Sequence, residues 1–170
     1  MKKLVLINPH PIGNVGEENV SVLNQMPVNL GYLKVLTPKH WQVDIIDETQ
    51  ELAIDEKTGD ITFGRADLVG ITSVSYQAHR AYQIATACRK QGIPVIMGGI
   101  HATSYPEEAA KYVDCVVTRE AVTTWEKIIG DFEKGCLQKR YDGVLTPMEL
   151  YQGLRPDRKY LKDKYKYRYS

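Results

Sequence analysis

The sequence predicts an α/β fold built on a parallel sheet, and three observations support that prediction. Short apolar segments alternate with stretches whose apolar residues recur at helical spacing. The first apolar segment, residues 4–7, is continuous, as in a strand that is covered on both faces. The chain has 170 residues, of which 43% are hydrophobic and 25% charged. This composition excludes disordered, collagen-like and disulfide-scaffold classes, and the length suits one domain with a modest extension.

The apolar segments define five strands and their order. We predict strands at residues 4–7, 43–47, 66–72, 94–99 and 114–118. The second is short and more polar than the others, which favours a position near an edge of the sheet. Right-handed crossovers between parallel strands then give a flavodoxin-like (Rossmann-like) three-layer fold, with a five-stranded parallel sheet in the order 2-1-3-4-5.

The segments between the strands carry helical patterns with clear ends. A helix begins near Pro27 and stops before Pro38, and a second covers residues 77–91. Ser104 with Glu107 is a capping-box pattern for a short helix, and residues 121–132 form the last helical stripe. The first three of these patterns fall where connections between parallel strands are needed, and the last follows the fifth strand.

Two features lie outside this alternation. A turn at residues 58–60 predicts a small hairpin between Ile54 and Ile61. Beyond Gly135 the alternation of strands and helices ends, so we expect no further strand in this sheet. We therefore divide the chain into a domain at residues 1–140 and an extension or linker at residues 141–170. From Arg155 onward this extension carries seven basic and two acidic residues.

Charge and cysteine content narrow the functional class. The formal net charge is +1, so the chain as a whole does not resemble a nucleic-acid-binding protein. Cys88, Cys115 and Cys136 are widely spaced and form no CxxC pair, which excludes a zinc ribbon or an iron–sulfur cluster built from these residues. Scattered free thiols suit a reducing cytoplasm. The apolar run at residues 4–7 is too short for a signal peptide or a membrane span.

Ligands of such a sheet bind beyond the carboxyl ends of the strands, near the switch point between strands one and three. The loop after the first strand is long, as binding loops often are, and it is rich in proline and glycine. The candidate residues in this loop are Asn8, Pro9, His10 and Gly13.

Three further loops at the same edge contain groups suited to a ligand. Hydroxyls after the third strand can donate to it, although Ser73 or Ser75 could instead cap the helix. Paired glycines after the fourth strand expose backbone, whereas His101 is as consistent with a polar loop residue as with a contact. Glu120 could simply favour a helix start. The candidates in these loops are Thr72, Ser73, Val74, Ser75, Gly98, Gly99, His101, Thr118 and Glu120.

The order of several short motifs resembles a known family. The motifs are Ile7-Asn8-Pro9, Met26-Pro27, Ile46-Asp47-Glu48, residues 67–72, residues 98–103 and residues 106–109. Together they resemble the N-terminal cobalamin-binding domain of cobalamin-dependent radical S-adenosylmethionine enzymes. The similarity extends over roughly residues 3 to 160. Each motif is loose, and it is their order and spacing that are specific.

The resemblance implies a cofactor and a way of binding it. Cobalamin would lie over the carboxyl ends of the strands, with its nucleotide tail in a slot beside the third and fourth strands. Thr72, Ser73 and Ser75 would then bond the tail, Gly98 and Gly99 would give it room, and residues 118–120 would lie near the rim.

The resemblance also implies a larger enzyme. The domain would serve methyl transfer in a radical S-adenosylmethionine methyltransferase, supplied in cis or as a partner protein. In this family the iron–sulfur cluster and S-adenosylmethionine bind to a downstream domain that follows a CxxxCxxC motif. That motif is absent up to Ser170, so we expect no complete enzyme in these residues.

Two departures from the family pattern bear on the site. Arg119, Ala121 and Val122 replace Gly, a small residue and Glu after the fifth strand, so Arg119 could obstruct the slot or form a salt bridge outward. His10 stands where the family usually has proline. The string from Asn8 to Gly13 thereby approaches DxHxxG, in which histidine ligates cobalt. The hypothesis is that His10 is the lower axial ligand of cobalt; the alternative is a loop residue near the corrin face.

Other functions remain open at this point. The chain could be a stand-alone corrinoid carrier or sensor, or a degenerate domain that only docks a partner. A flavin-binding or phosphoacceptor protein is less consistent, because the first loop lacks a run of hydroxyls and an acidic cluster. The Lys/Tyr alternation at residues 164–169 suits a strand leading to another domain better than contact with RNA or a membrane. We expect no nucleic acid or membrane as a partner.

Overall fold

The computed structural model describes residues 1–10, 27–145 and 153–157. Its centre is a parallel sheet of six strands in the order 2-1-3-4-5-6. The strands are β1 (Lys2–Asn8), β2 (Trp41–Asp47), β3 (Leu68–Thr72), β4 (Val95–Gly98), β5 (Cys115–Thr118) and β6 (Arg140–Asp142). The predicted α/β class and the predicted order of the first five strands are confirmed, and β2 lies at an edge.

Helices cover both faces of the sheet. They are α1 (Val28–Leu36), α2 (Ala78–Lys90), α3 (Ile100–Ser104), α4 (Pro106–Ala109) and α5 (Trp125–Glu133), with short 3₁₀ turns at Ser75–Gln77 and Ala121–Thr123. Helices α1 and α5 contribute to the core on one face, and α2, α3 and α4 contribute to the core on the other. This arrangement is the expected three-layer fold.

Strand β1 shows why its sequence is continuously apolar. Leu4, Val5, Leu6 and Ile7 are all fully buried. Because successive side chains of a strand point to opposite faces, Val5 and Ile7 join one core while Leu4 and Leu6 join the other. The central part of a strand in a doubly covered sheet, here residues 4–7, therefore has no position for a polar side chain.

The sixth strand corrects the expectation that strands end before Gly135. Strand β6 has three residues and pairs in parallel with β5. Only Tyr141 is buried, and its hydroxyl donates to Asp131 Oδ2 at 2.7 Å. A single buried side chain between two exposed ones leaves no recognisable apolar segment. The proposed domain boundary at residue 140 falls on the first residue of this strand and remains a prediction.

The segment after β4 corrects a second expectation. Ser104 is the last residue of α3, and α4 begins after Tyr105, which makes no side-chain cap. The predicted capping box between Ser104 and Glu107 is therefore wrong, although Pro106 does open the helix. Helix α3 was not predicted because the glycine pair before it indicated an open loop.

The insertion before β3 is a hairpin, as predicted. Ile54 and Ile61 form an antiparallel bridge. Hydrogen bonds from the backbone N–H groups of Thr58 and Lys57 lower the pKa of the Asp55 carboxyl, which stabilises the turn in its ionised form.

Among the helices of residues 1–10, 27–145 and 153–157, none combines the length and the apolar character needed to cross a membrane.

Candidate functional site

A pocket of about 570 Å³ opens at the carboxyl edge of the sheet, on the face covered by α1 and α5. This volume lies within the range of about 300–1,000 Å³ typical of small-molecule sites. The floor consists of sheet residues, namely Leu6, Gly70, Ile71, Thr72, Ile96, Gly98 and Val117. The walls and mouth include Val28, Leu30, Tyr32 and Leu33 of α1, Trp125 of α5, and Ile100, Thr103, Ser104, Arg119 and Glu120. The pocket is mainly apolar, with polar groups near its mouth.

Two glycines in the floor of this pocket leave volume open because they have no side chain. Gly70 pairs with Leu6 on one side and Ile96 on the other, and Thr72 pairs with Gly98. A Cβ at Gly98 would lie 3.6 Å from the carbonyl oxygen of Val117, which is ordinary contact. Packing therefore tolerates a side chain at Gly98, and its absence leaves volume in the pocket. Gly70 was missed by sequence reasoning, although a glycine inside a buried strand signals a close approach.

Gly99 is required for a different reason. Its φ of +96° lies in the left-handed region, and a Cβ there would stand 2.6 Å from the carbonyl oxygen of Ser73. The same two loops are joined by hydrogen bonds, because Ser73 N donates to Gly98 O at 3.1 Å and His101 N donates to Ser73 O at 3.0 Å. Gly99 thus permits the tight contact between the loops after β3 and β4.

The four candidates after β3 divide into one that lines the pocket and three that do not. Thr72 lies in the floor, and its Oγ1 accepts from Asn29 Nδ2 at 2.9 Å. Ser73 is buried and its Oγ donates to Val74 O, while Ser75 is exposed. Neither serine caps α2, whose N-cap residue is Gln77 and whose first turn receives no side-chain capping hydrogen bond.

The candidates of the first loop lie at the end of β1 and not in the pocket. Asn8 is buried, and its Nδ2 donates to Asp47 Oδ1 at 3.1 Å. The carbonyl oxygen of Pro9 accepts from Gln77 Nε2 at 2.6 Å. His10 N donates to Glu48 Oε2 at 3.3 Å. Gly13 lies outside the described residues.

A buried ion pair anchors this end of the sheet. The guanidinium of Arg80 donates to both carboxylate oxygens of Glu48, at 2.9 and 2.8 Å, and the two side chains are 6% and 0% exposed. Glu48 also accepts from Ala53 N at 2.9 Å. Beside it, Asp47 Oδ2 and Thr49 Oγ1 are buried and have no hydrogen-bond partner among the described residues. Sequence reasoning missed this pair, since single charges within helical and strand patterns give no sign of pairing.

His101 belongs to a separate buried network. Its Nε2 lies 2.7 Å from the hydroxyl of Tyr82, which donates to Glu108 Oε1 at 3.0 Å. Burial and then the hydrogen bond to Glu108 raise the pKa of the Tyr82 phenol well above its usual value. His101 is 4% exposed and does not line the pocket. This position agrees with the alternative of a polar residue paired within the protein, although Nδ1 has no hydrogen-bond partner within residues 1–10, 27–145 and 153–157.

The loop after β5 forms part of the mouth. Thr118 is buried, and its Oγ1 donates to Asp142 Oδ1 at 2.6 Å, so it joins β5 to β6. Arg119 and Glu120 line the pocket. Arg119 has a φ of +60°, which is uncommon for a residue other than glycine, and its N–H donates to Thr103 Oγ1 at 2.8 Å. The pocket keeps its 570 Å³ with Arg119 in the wall.

A short segment near the end of the chain packs against the outside of α1. Asp157 N donates to Gly31 O at 3.2 Å, and Asp157 Oδ2 pairs with Lys34 Nζ at 3.2 Å. A Cβ at Gly31 would stand 2.7 Å from Asp157 O. The helix that walls the pocket is thus also held by residues much further along the chain. Gly31 was not predicted to matter, although an isolated glycine in a helical pattern often has a packing reason.

Comparison with known proteins identifies the domain. The family model of the B12 binding domain matches residues 20–129. The chain is 39% identical over 136 residues to bacteriochlorophyllide d C-8(2)-methyltransferase of Chlorobaculum tepidum, covering 74% of this chain and 29% of that protein. It is 30% identical over 151 residues to bacteriochlorophyllide d C-12(1)-methyltransferase of the same organism, covering 86% of this chain and 31% of that protein.

A third relative, an uncharacterized methyltransferase of Pyrococcus horikoshii, is 29% identical over 115 residues, covering 64% of this chain and 25% of that protein. The chain thus spans less than a third of the length of the curated relatives that it matches. The predicted resemblance to a cobalamin-binding domain is confirmed: the chain belongs to the B12 binding domain family.

Proposed function

We propose that this domain binds cobalamin at the carboxyl edge of its sheet, with the nucleotide tail in the 570 Å³ pocket. The observation that carries the proposal is the mainly apolar pocket beside β3 and β4, whose floor is kept open by Gly70 and Gly98. Family membership makes cobalamin the cofactor of choice.

The shape and chemistry of the pocket suit the tail. The tail ends in a flat aromatic base, which gains free energy when it leaves water for an apolar slot. Leu6, Ile96, Val117 and Trp125 supply apolar surface on opposite sides of this slot. A side chain at Gly98 would occupy volume that the base needs.

Polar groups near the mouth would bond the ribose and phosphate of the tail. The hydroxyls of Thr72 and Ser104 line the pocket and can donate or accept. Arg119 is the basic side chain in the lining formed by the described residues, and a guanidinium attracts a phosphate. Arg119 would then contact the tail rather than obstruct it.

The corrin would lie over the loops at the carboxyl edge. Asn8, Pro9 and His10 end β1 at this edge, and Ile100, which is 66% exposed, follows β4. Burial of Ile100 under the corrin would remove apolar surface from water. We further propose that the His10 imidazole meets the corrin face and is the candidate lower ligand of cobalt. The Asn8 side chain is directed to Asp47 and Gln77.

The biological role follows from the relatives. When bound, cobalamin supplies a transferable methyl group. The relatives named above are methyltransferases about three times as long as the matched region. We infer that the domain serves a radical S-adenosylmethionine methyltransferase in the cytoplasm. The iron–sulfur cluster and S-adenosylmethionine would be held by a domain in cis or by a partner protein. Residues 1–10, 27–145 and 153–157 hold no group of three His, Cys, Asp or Glu side chains placed for a metal ion.

Titration with hydroxocobalamin tests the binding proposal. The purified chain should change the visible spectrum of hydroxocobalamin and elute with it on gel filtration. An unchanged spectrum and separate elution would overturn the proposal. The His10→Ala variant tests the cobalt ligand separately: an altered spectrum of the bound cofactor supports ligation by His10, and an unaltered one excludes it.

A further inference from the structure

A single peptide group at the end of β1 is held from both sides. The Pro9 carbonyl and the His10 N–H belong to the same peptide unit. The carbonyl accepts from Gln77 Nε2 at 2.6 Å, and the N–H donates to Glu48 Oε2 at 3.3 Å. Because a peptide unit is planar, fixing its two polar atoms fixes the orientation of the plane.

Both contacts lead back to the start of one helix. Gln77 directly precedes α2, and Arg80, three residues later, holds the Glu48 carboxylate with two hydrogen bonds. Residues three apart share a face of a helix, so the two contacts act from the same surface. Helix α2 is firmly seated in the core, since Ala81, Ile84 and Ala85 are fully buried.

Gln77 also joins this peptide to the loop after β3. Its Oε1 accepts from Val74 N at 3.1 Å, and it is 8% exposed. One amide thus connects the two loops that flank the switch point between β1 and β3. Pro9 adds rigidity because its ring fixes its own φ.

We propose that Gln77 is a positioning residue that orients the Pro9–His10 peptide and thereby sets the direction of the His10 side chain toward the cofactor. The inference rests on the proposed function, because the direction of His10 matters only if this edge of the sheet binds cobalamin.

A double-mutant cycle tests the proposal with hydroxocobalamin as the probe. Gln77→Glu keeps the acceptor for Val74 N and removes the donor to Pro9 O, together with the longer bond of 3.4 Å to Asn8 Oδ1. At about pH 8, where the introduced carboxyl is ionised, we expect binding to weaken roughly tenfold. Because Gln77 acts through His10, the Gln77→Glu change should cost little further affinity in the His10→Ala background. A merely structural role predicts the same loss in both backgrounds, and that result, or an unaffected single variant, would overturn the proposal.

Two further comparisons keep the test decisive. Gln91→Glu, at an exposed site after α2, is the matched control and should bind as the wild type does. If Gln77→Glu does not fold, Gln77→Asn keeps the amide but shortens its reach and replaces it in the cycle.

The outcomes separate the two proposals. Failure of the wild-type chain to bind hydroxocobalamin would overturn the proposed function and the positioning role together. Wild-type binding with an additive cycle would overturn the positioning role alone. An unaffected His10→Ala variant would also overturn it, since there would be no His10 contribution for Gln77 to set.

Discussion

The carboxyl edge of the sheet has two halves that differ in what their side chains contact. In the half at β1 and β2, buried polar groups bond to one another: Gln77 to Pro9, Asn8 to Asp47, and Arg80 to Glu48. In the half at β3, β4 and β5, the same edge opens into a mainly apolar pocket of about 570 Å³. The first half holds the backbone of its loops in place, and the second leaves an open pocket.

Because its two halves differ in this way, one edge of the sheet can both anchor its loops and leave room for a ligand. A buried charge pair is costly to separate, so a network such as Glu48–Arg80 holds its loops in a single arrangement. An apolar cavity does not hold its surroundings in one arrangement in this way. The folded protein becomes more stable when a ligand fills the cavity. Substitutions in the first half should therefore disturb folding, and substitutions in the second should disturb ligand binding.

The largest expected effect is on the polar half. Glu48→Ala leaves Arg80 buried without its partner and should lower the free energy of unfolding by about 3–5 kcal/mol, measured by urea denaturation. Glu107→Ala is the control, because Glu107 faces Arg140 at 3.7 Å with 91% of its side chain exposed. The control should change stability by less than about 1 kcal/mol. Equal effects of the two substitutions would contradict the assigned role of the buried pair.

The next effect is on the pocket half. Gly98→Leu fills the floor of the pocket where nothing closer than 3.6 Å opposes a Cβ. We expect it to weaken hydroxocobalamin binding more than about tenfold while changing stability by less than about 1.5 kcal/mol. Gly130→Leu, in α5 with no atom within 4 Å of a Cβ, is the matched control and should bind normally. Normal binding by Gly98→Leu would mean that the tail lies elsewhere.

The smallest expected effect concerns how readily the cysteine thiols are modified, including two that are buried on opposite faces of the sheet. Burial raises the pKa of the Cys88 and Cys115 thiols to about 12, whereas Cys136 is exposed. A disulfide reagent at about pH 8 should modify Cys136 first. Cys88 packs in the core on the α2 side, and Cys115 packs in the core beneath the pocket. Since the face of the sheet that carries the unfilled pocket should unfold locally more easily, mass spectrometry should detect modification of Cys115 before Cys88. The reverse order would contradict the comparison.

The fold was largely predictable because its strongest signals are local. The buried centre of β1, residues 4–7, has to be apolar at every position, and Pro27, Pro38 and Gly92 mark element ends in the sequence. Strand β6 escaped prediction because it has three residues and one buried side chain, and it is defined by its pairing with β5. Pairing between segments that are distant in the sequence leaves no pattern of apolar residues within the strand itself.

The site was predictable only in outline. The topology pointed to the carboxyl edge, where the pocket opens, and four predicted residues, Thr72, Gly98, Gly99 and Glu120, line that pocket. Ser73 and Thr118 do not line it: their hydroxyls donate to Val74 O and to Asp142 Oδ1, and such partners are set by the folded chain. The Glu48–Arg80 pair joins residues 32 positions apart, so only the folded chain reveals it.

The most direct experiment asks whether the nucleotide tail of cobalamin fills the pocket. Cobinamide has the corrin of cobalamin but lacks the nucleotide tail. If the tail fills the pocket, the wild-type chain should bind cobalamin at least roughly tenfold more tightly than cobinamide. The Gly98→Leu variant should lose most of that preference. Equal affinity of the wild-type chain for the two corrinoids would contradict the account, because the pocket would then contribute nothing to binding.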